Sequence, residues 1–243
     1  MVELSVVTIT YNEKDNIRLF IETVHHLLKE NKISGEIVVV DDNSPDGTGK
    51  VVEELMRKYP ATVLIKRPGK LGIGSAYYAG YQAAQGKVVA LLDADLSHSP
   101  EYLPEFYALA KENKIVYGSR YLGQTKFETD FAHRCGTRLL NSWVSMILGT
   151  NMKDHTNGYL VFPKQIMEQI IDYGKPHNLF PFGHILYGIT IAAIARKLNI
   201  VTLERKAPYH KRVHGETKIP FWWGIKVVFG DMWYSVKVRR RLR

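Results

Sequence analysis

The stretch Val88-Val89-Ala90-Leu91-Leu92-Asp93-Ala94-Asp95-Leu96-Ser97-His98 decides how the chain is read. Its first half is apolar and partly β-branched, the signature of a buried strand. It then runs into two carboxylates separated by one residue. On a continuing strand both Asp side chains would lie on one face, at the strand's C-terminal mouth. Such a pair repels itself unless a cation or a proton sits between the two groups. A hard cation such as Mg²⁺ takes one or two carboxylates, keeps waters and completes its shell with phosphate oxygens. The stretch therefore points to a metal–diphosphate site at the edge of an α/β sheet. In isolation, an Asp-x-Asp reads more readily as a polar strand-to-loop turn.

The segments before it supply the sheet. Val2 to Thr10 alternates and is rich in Val, Ile and Thr, so it predicts a first strand, ended by Tyr11-Asn12-Glu13. Asn12 is the predicted N-cap of a helix whose apolar positions are Ile17, Phe20, Ile21, Val24, Leu27 and Leu28. Gly35 to Val40 predicts a second strand running into Asp41-Asp42-Asn43-Ser44-Pro45-Asp46-Gly47-Thr48, and a helix follows with Val51, Val52, Leu55 and Met56 inward. Ala61 to Lys66 predicts a third strand, and Gly69 to Ala76 opens a helix reaching about Ala84. After the opening stretch come a helix over Pro100 to Lys111 and a short strand, Ile115 to Tyr117. Strands alternating with helices imply right-handed crossovers and a parallel sheet. Ligands of such sheets bind outside the carboxyl ends of the strands, where Tyr11-Asn12-Glu13, Asp41-Asp42 and Asp93-Ala94-Asp95 all fall.

The later part is less regular. Phe131 to Leu148 has helical spacing, Gly158 to Phe162 predicts a strand, Pro163 to Asp172 a helix, Ile185 to Leu198 a buried helix and Ile200 to Lys206 a strand. From Pro220, the residues Phe221, Trp222, Ile225, Val228, Phe229, Met232, Trp233 and Val236 recur at helical spacing, with Lys226 and Asp231 interrupting the run. That pattern suits a helix lying on a membrane rather than crossing it. Its basic end, Val236 to Arg243, adds about 1 kcal/mol of attraction per cation near an anionic leaflet. An amphipathic helix packed on the domain, with a solvated tail, is the plainer alternative.

With 243 residues, 45% hydrophobic and 23% charged, the chain has an ordinary globular composition. The single Cys135 cannot make an internal disulfide, which fits a reducing compartment. The N-terminus has no signal-peptide pattern, and no run approaches the ~20 apolar residues of a membrane-spanning helix. A cytoplasmic location, peripheral on a membrane face, is expected. The net charge of +9 predicts an anionic partner; nucleic acid is not expected, since no recognised motif for it is present.

Five motifs in order carry a resemblance: Tyr11-Asn12-Glu13, Asp41 to Thr48, the Lys70 to Ala76 glycine loop, Asp93 to Pro100, and Gly118-Ser119-Arg120-Tyr121. Together they resemble the inverting family 2 glycosyltransferases of the GT-A fold, closest in pattern to the dolichol-phosphate mannose synthases, over residues 4–218. The resemblance implies a mostly parallel twisted sheet flanked by helices, with a catalytic domain over 1–218 and an amphipathic helix with a basic tail over 219–243. It implies transfer of a hexose, mannose from GDP-mannose foremost, to dolichyl or polyprenyl phosphate with Mg²⁺ or Mn²⁺, at a membrane surface and with room for a small membrane-anchoring subunit. Thr10, Tyr11, Glu13, Asp41, Asp42, Lys70, Asp93 and Ala94 match nucleotide-binding positions. Asp93 and Asp95 match the metal pair, with Ser97 as a further oxygen ligand. Arg120, Arg134, Arg138, Arg212 and Lys218 match the acceptor-phosphate region, and Asp95, Arg120, Arg134 and Arg212 are the implied catalytic set.

Departures cluster in the half expected to face sugar and acceptor. Thr10 stands where Pro is usual, Asp154-His155-Thr156-Asn157-Gly158-Tyr159 replaces an Asp-Pro-Thr-Ser-Gly-Phe run, Arg138 replaces a small hydroxyl residue, and His214 replaces Arg. Arg134 and Arg138 are one turn apart on a helix face, where like charges are unfavourable without an anion between them. UDP-glucose or another donor, and a hydroxyl acceptor with Asp154 as general base, stay open as alternatives. So does a catalytically idle nucleotide-binding module on a membrane.

Overall fold

The computed structural model describes residues 1–122, 131–180, 187–215 and 221–242, with backbone only for 131–134 and 221–226. The strands are β1 (Leu4–Thr10), β2 (Gly35–Asp41), β3 (Thr62–Lys66), β4 (Val88–Leu91), β5 (Ile115–Ser119), β6 (Leu160–Pro163) and β7 (Thr202–Lys206). The helices are α1 (Lys14–Glu30), α2 (Thr48–Lys58), α3 (Ile73–Ala83), α4 (Leu103–Ala110), α5 (Phe131–Leu148), α6 (Lys164–Gly174), α7 (Gly188–Lys197) and α8 (Phe221–Arg241). One seven-stranded sheet runs in the order β3-β2-β1-β4-β6-β5-β7. Only β6 is antiparallel to its neighbours, β4 and β5.

This order explains where a ligand can sit. The chain leaves β1 towards β2 and β3 on one side and returns to place β4 on the other, so the crevice between β1 and β4 is the topological switch point. The carboxyl ends of β1, β2, β4 and β5 share that edge, and the loop entering antiparallel β6 arrives there too. Val, Ile and Leu on both faces of the central strands account for a core on each side of the sheet. One is built with α1, α2 and α4 (Phe20, Ile21, Leu55, Phe106), the other with α3, α5, α6, α7 and α8 (Tyr77, Val144, Ile170, Ile191, Val238).

Three local expectations are corrected. Paired β4 ends at Leu91, opposite Val7, and Leu96 takes a left-handed φ of 60°. Asp93 and Asp95 therefore stand on a turning loop rather than on one strand face. Asn12 is not the cap of α1: its own φ is 58° and Glu13 occupies the cap position without a side-chain cap bond. The first N–H groups are met from elsewhere, Glu13 N donating to Thr48 Oγ1 at 3.0 Å and Lys14 N to Asp46 Oδ2 at 3.1 Å. Finally, β7 begins at Thr202 rather than Ile200. The predicted helix start at Ile185 lies outside the described residues.

Candidate active site

At the mouth of β2, Asp41 is buried and turned inward. It accepts from Thr10 Oγ1 at 2.9 Å, Ser44 Oγ at 2.5 Å and Ser44 N at 3.0 Å. Thr10 is equally buried, so these two side chains brace β1 against β2 and shape the loop rather than face the crevice. Asp42 is gripped bidentately by Arg67, at 2.6 Å and 2.9 Å, and Arg67 Nη1 donates to Ser75 Oγ of α3 at 2.8 Å. Lys70 Nζ lies 3.6 Å from the centre of the Tyr11 ring. The aromatic and cationic groups expected to meet a nucleotide are thus side by side.

At the mouth of β4 the two carboxylates have different settings. Asp93 keeps 39% of its side chain exposed, with His98 Nδ1 3.3 Å from Oδ2 and Tyr77 Oη donating to Oδ1 at 2.8 Å. Burial opposes its charge, but His98, Tyr77 and the nearby Arg212 outweigh it and hold the carboxyl below its ordinary range. Asp95 accepts from Ser97 N and Oγ through one oxygen, at 2.9 Å and 2.6 Å, while the other lies 3.2 Å from Arg212 Nε. Ser97 is fully buried, with its hydroxyl bonded to Asp95. Ala94 packs in the core, leaving only its backbone to the site. Arg212 also bonds Glu13 through Nη2. Burial disfavours its charge, and Glu13 and Asp95 more than compensate.

These groups fit a divalent cation of the substrate-completed kind. Among the described residues no group of three or more His, Cys, Asp and Glu forms a self-contained metal centre. A part-exposed carboxylate beside a second, buried one suits an ion whose remaining ligands are water and phosphate. Gly158 leaves the space for it: a Cβ there would come within 3.3 Å of Asp93 Oδ2.

The mouth of β5 is arranged differently. Arg120 donates to Asp154 through Nε at 2.8 Å and Nη2 at 2.7 Å, and through its backbone N at 3.0 Å. Nη2 also reaches Thr156 Oγ1 at 2.7 Å. Asp154 has no exposed side-chain surface and Arg120 only 11%. Burial works against the Arg120 charge, and Asp154 raises its pKa in spite of it. Arg138 is exposed, with its guanidinium carbon 5.5 Å from the Tyr121 ring. The side chain of Arg134, and all of Lys218, lie outside the described residues.

The crevice thus gathers Tyr11, Glu13, Asp42, Lys70, Asp93, Asp95 and Arg212, with Arg120 at the next strand end. Sequence reasoning missed Arg67, Tyr77 and His98 as partners of those carboxylates. Only the proximity of His98 to the Asp pair hinted at one of them, since nothing in the sequence separates Tyr77 from Tyr78.

A nucleotide crevice at the switch point, with a carboxylate pair beside it of which Asp93 is part-exposed, defines a GT-A-fold glycosyltransferase. A mannosyltransferase from Pyrobaculum calidifontis, solved with GDP-Man and Mn²⁺, superposes with a TM-score of 0.60 over 99% of this chain and 73% of that one, at 17% identity. Glucosyl-3-phosphoglycerate synthase from Mycobacterium tuberculosis, solved with UDP, also gives 0.60, covering 97% and 80% at 16% identity. The chain belongs to glycosyl transferase family 2, whose model matches residues 5–172. It is 33% identical over 225 residues to the dolichol-phosphate mannosyltransferase of Pyrococcus furiosus, and 34% identical over 167 residues to the polyprenol monophosphomannose synthase of Mycolicibacterium smegmatis. Those alignments cover 89% and 66% of this chain but only 59% and 62% of the relatives.

Proposed function

We propose that this chain is an inverting hexosyltransferase that moves mannose from GDP-mannose onto the phosphate of a polyprenyl or dolichyl lipid. The observation that carries the reading is the state of Asp154. Transfer to a hydroxyl needs a general base within reach of the acceptor proton. Asp154, the candidate base, is buried with both oxygens engaged by Arg120. A lipid phosphate is already anionic at neutral pH and needs no base. The names of the two curated relatives support the same acceptor class.

The chain's own residues divide the work. Tyr11, Glu13 and Asp42 hold the nucleoside, with Arg67 fixing the Asp42 carboxylate by charge-assisted bonds. Asp93 and Asp95 would hold Mg²⁺ or Mn²⁺, which would supply positive charge opposite the departing diphosphate. Arg212 and Arg120, with Arg134, orient the acceptor phosphate for in-line attack and offset repulsion between two anionic substrates. In-line attack inverts the anomeric centre.

Membrane attachment is part of the proposal. Trp143 Nε1 of α5 donates to Met232 O of α8 at 3.2 Å, and the two helices leave Leu139, Met146, Phe229 and Trp233 exposed. Lys237 covers the Trp233 ring at 3.3 Å, and Arg239 to Arg241 follow. Exposed aromatics with flanking cations suit the headgroup boundary of an anionic leaflet. Among the described residues no helix is long and apolar enough to cross a membrane. In this reading 1–218 is the catalytic domain and 219–243 the surface-binding element, docked on it through α5.

The test is transfer of radiolabelled sugar from GDP-mannose and from UDP-glucose, with Mn²⁺, to polyprenyl phosphate and to a hydroxyl-bearing glycolipid. Label in the phosphate lipid from GDP-mannose is expected. Transfer to the hydroxyl acceptor alone would overturn the proposal.

A further inference from the structure

Asp93 is approached from three sides, by α3, by its own loop and by the loop before β6. Tyr77 of α3 donates to Oδ1 at 2.8 Å, His98 Nδ1 lies 3.3 Å from Oδ2, and Gly158 keeps the third side clear. The reach of Tyr77 depends on how close α3 lies to the sheet. Gly80, one turn further along, makes that approach possible, because a Cβ there would come within 2.3 Å of Val7 Cγ1. The Tyr77 side chain is buried, with its hydroxyl aimed at Asp93 Oδ1. His98 is itself held, its ring edge-on to Tyr209 at 5.2 Å.

We propose that Tyr77 is a positioning residue for the divalent cation, fixing with His98 the rotamer of Asp93 so that its exposed lone pairs face the ion before it arrives. This rests on the reading of Asp93 and Asp95 as the metal pair. An unanchored carboxylate would have to be ordered when the ion binds, and outer partners of metal-binding side chains are commonly worth 10–100-fold in affinity. The same helix carries Ser75, which accepts from the Arg67 that grips Asp42. One rigid element thereby sets the spacing between the nucleoside end and the metal end of the site.

The experiment is Mn²⁺ titration of the full chain, followed by the electron paramagnetic resonance signal of free Mn²⁺, for wild type, Tyr77→Phe and Asp95→Ala. Tyr77→Phe removes one hydroxyl and is expected to weaken Mn²⁺ binding about tenfold or more, with an unchanged thermal midpoint. Asp95→Ala is expected to abolish binding. Tyr77→Phe binding Mn²⁺ as tightly as wild type, while Asp95→Ala does not bind, overturns the role of Tyr77 alone. A wild type that binds no Mn²⁺ overturns the metal reading and this inference with it. If Tyr77→Phe fails to fold, wild type labelled with ¹³C at the tyrosine ζ carbon and titrated with Mg²⁺ alone decides: a shifted tyrosine resonance is expected, and an unmoved spectrum overturns the proposal.

Discussion

The mouths of β4 and β5 each carry an aspartate beside an arginine, yet the two aspartates are built for opposite purposes. Asp93 is held by a phenol and an imidazole and keeps 39% of its side chain exposed. Asp154 is held by a guanidinium in a two-pronged bond and has no exposed surface. The phenol and the imidazole leave part of the Asp93 side chain exposed, so Asp93 can still serve a cation. Asp154 has both oxygens engaged by Arg120 and no exposed surface left for a ligand, so it braces the loop and aims Arg120. A carboxylate's neighbours, more than its place at a strand end, decide whether it is reactive.

The largest expected effect falls on the Asp93–Asp95 pair. A bound metal contributes several kcal/mol of charge stabilisation to the leaving group, so Asp95→Ala is expected to lower sugar transfer by about 10³-fold or more with the fold retained. Circular dichroism together with a transfer assay checks both halves. Unchanged transfer would remove Asp95 from the mechanism.

Next comes the closed pair. Breaking a buried ion pair by deleting one partner leaves an uncompensated charge and costs about 3–5 kcal/mol. Asp154→Ala is therefore expected to lower the urea midpoint strongly, whereas Asp93→Ala, at a half-open site, is expected to cost much less. Equal losses would erase the distinction between the two sites.

A third carboxylate sharpens the comparison. Among the described residues Asp231 of α8 accepts from the Tyr187 hydroxyl, and burial, partly offset by that bond, raises its pKa to about 6. The folded state thus keeps a proton that the unfolded chain releases between about pH 4 and 6. Stability from this group is present at low pH and is lost as pH rises through 6, by ~3 kcal/mol at most. Asp231→Asn is expected to raise the urea midpoint at pH 7.5 and to raise it only about a third as much at pH 4.5. A gain of the same size at both pH values would mean that the carboxyl is ionised throughout.

The contrast also marks what the sequence made legible. Hydrophobic runs ending in Tyr11, Asp41 and Asp93 were enough to place a parallel sheet and the edge where the site lies, because strand burial and crossover handedness are local rules. The antiparallel insertion of β6 was not legible, since four apolar residues carry no direction. Nor were the partners of each carboxylate. Tyr77, Arg67 and Asp154 reach their targets across 16, 25 and 34 positions of chain, and no periodicity encodes such pairings. Asp41 shows the same limit from the other side: its motif suggested a ligand-facing group, and Thr10 and Ser44 turn it inward.

The central claim is that Asp93 acts on the substrate while Asp154 acts on the protein. The most direct measurement is the initial rate of mannose transfer to polyprenyl phosphate by folded Asp154→Asn, set beside wild type and Asp93→Asn. The account predicts that Asp93→Asn nearly abolishes transfer. It predicts that Asp154→Asn, whose amide oxygen still accepts from Arg120, slows it by less than the ~10²-fold that loss of a general base brings. An equal collapse in both variants would contradict it.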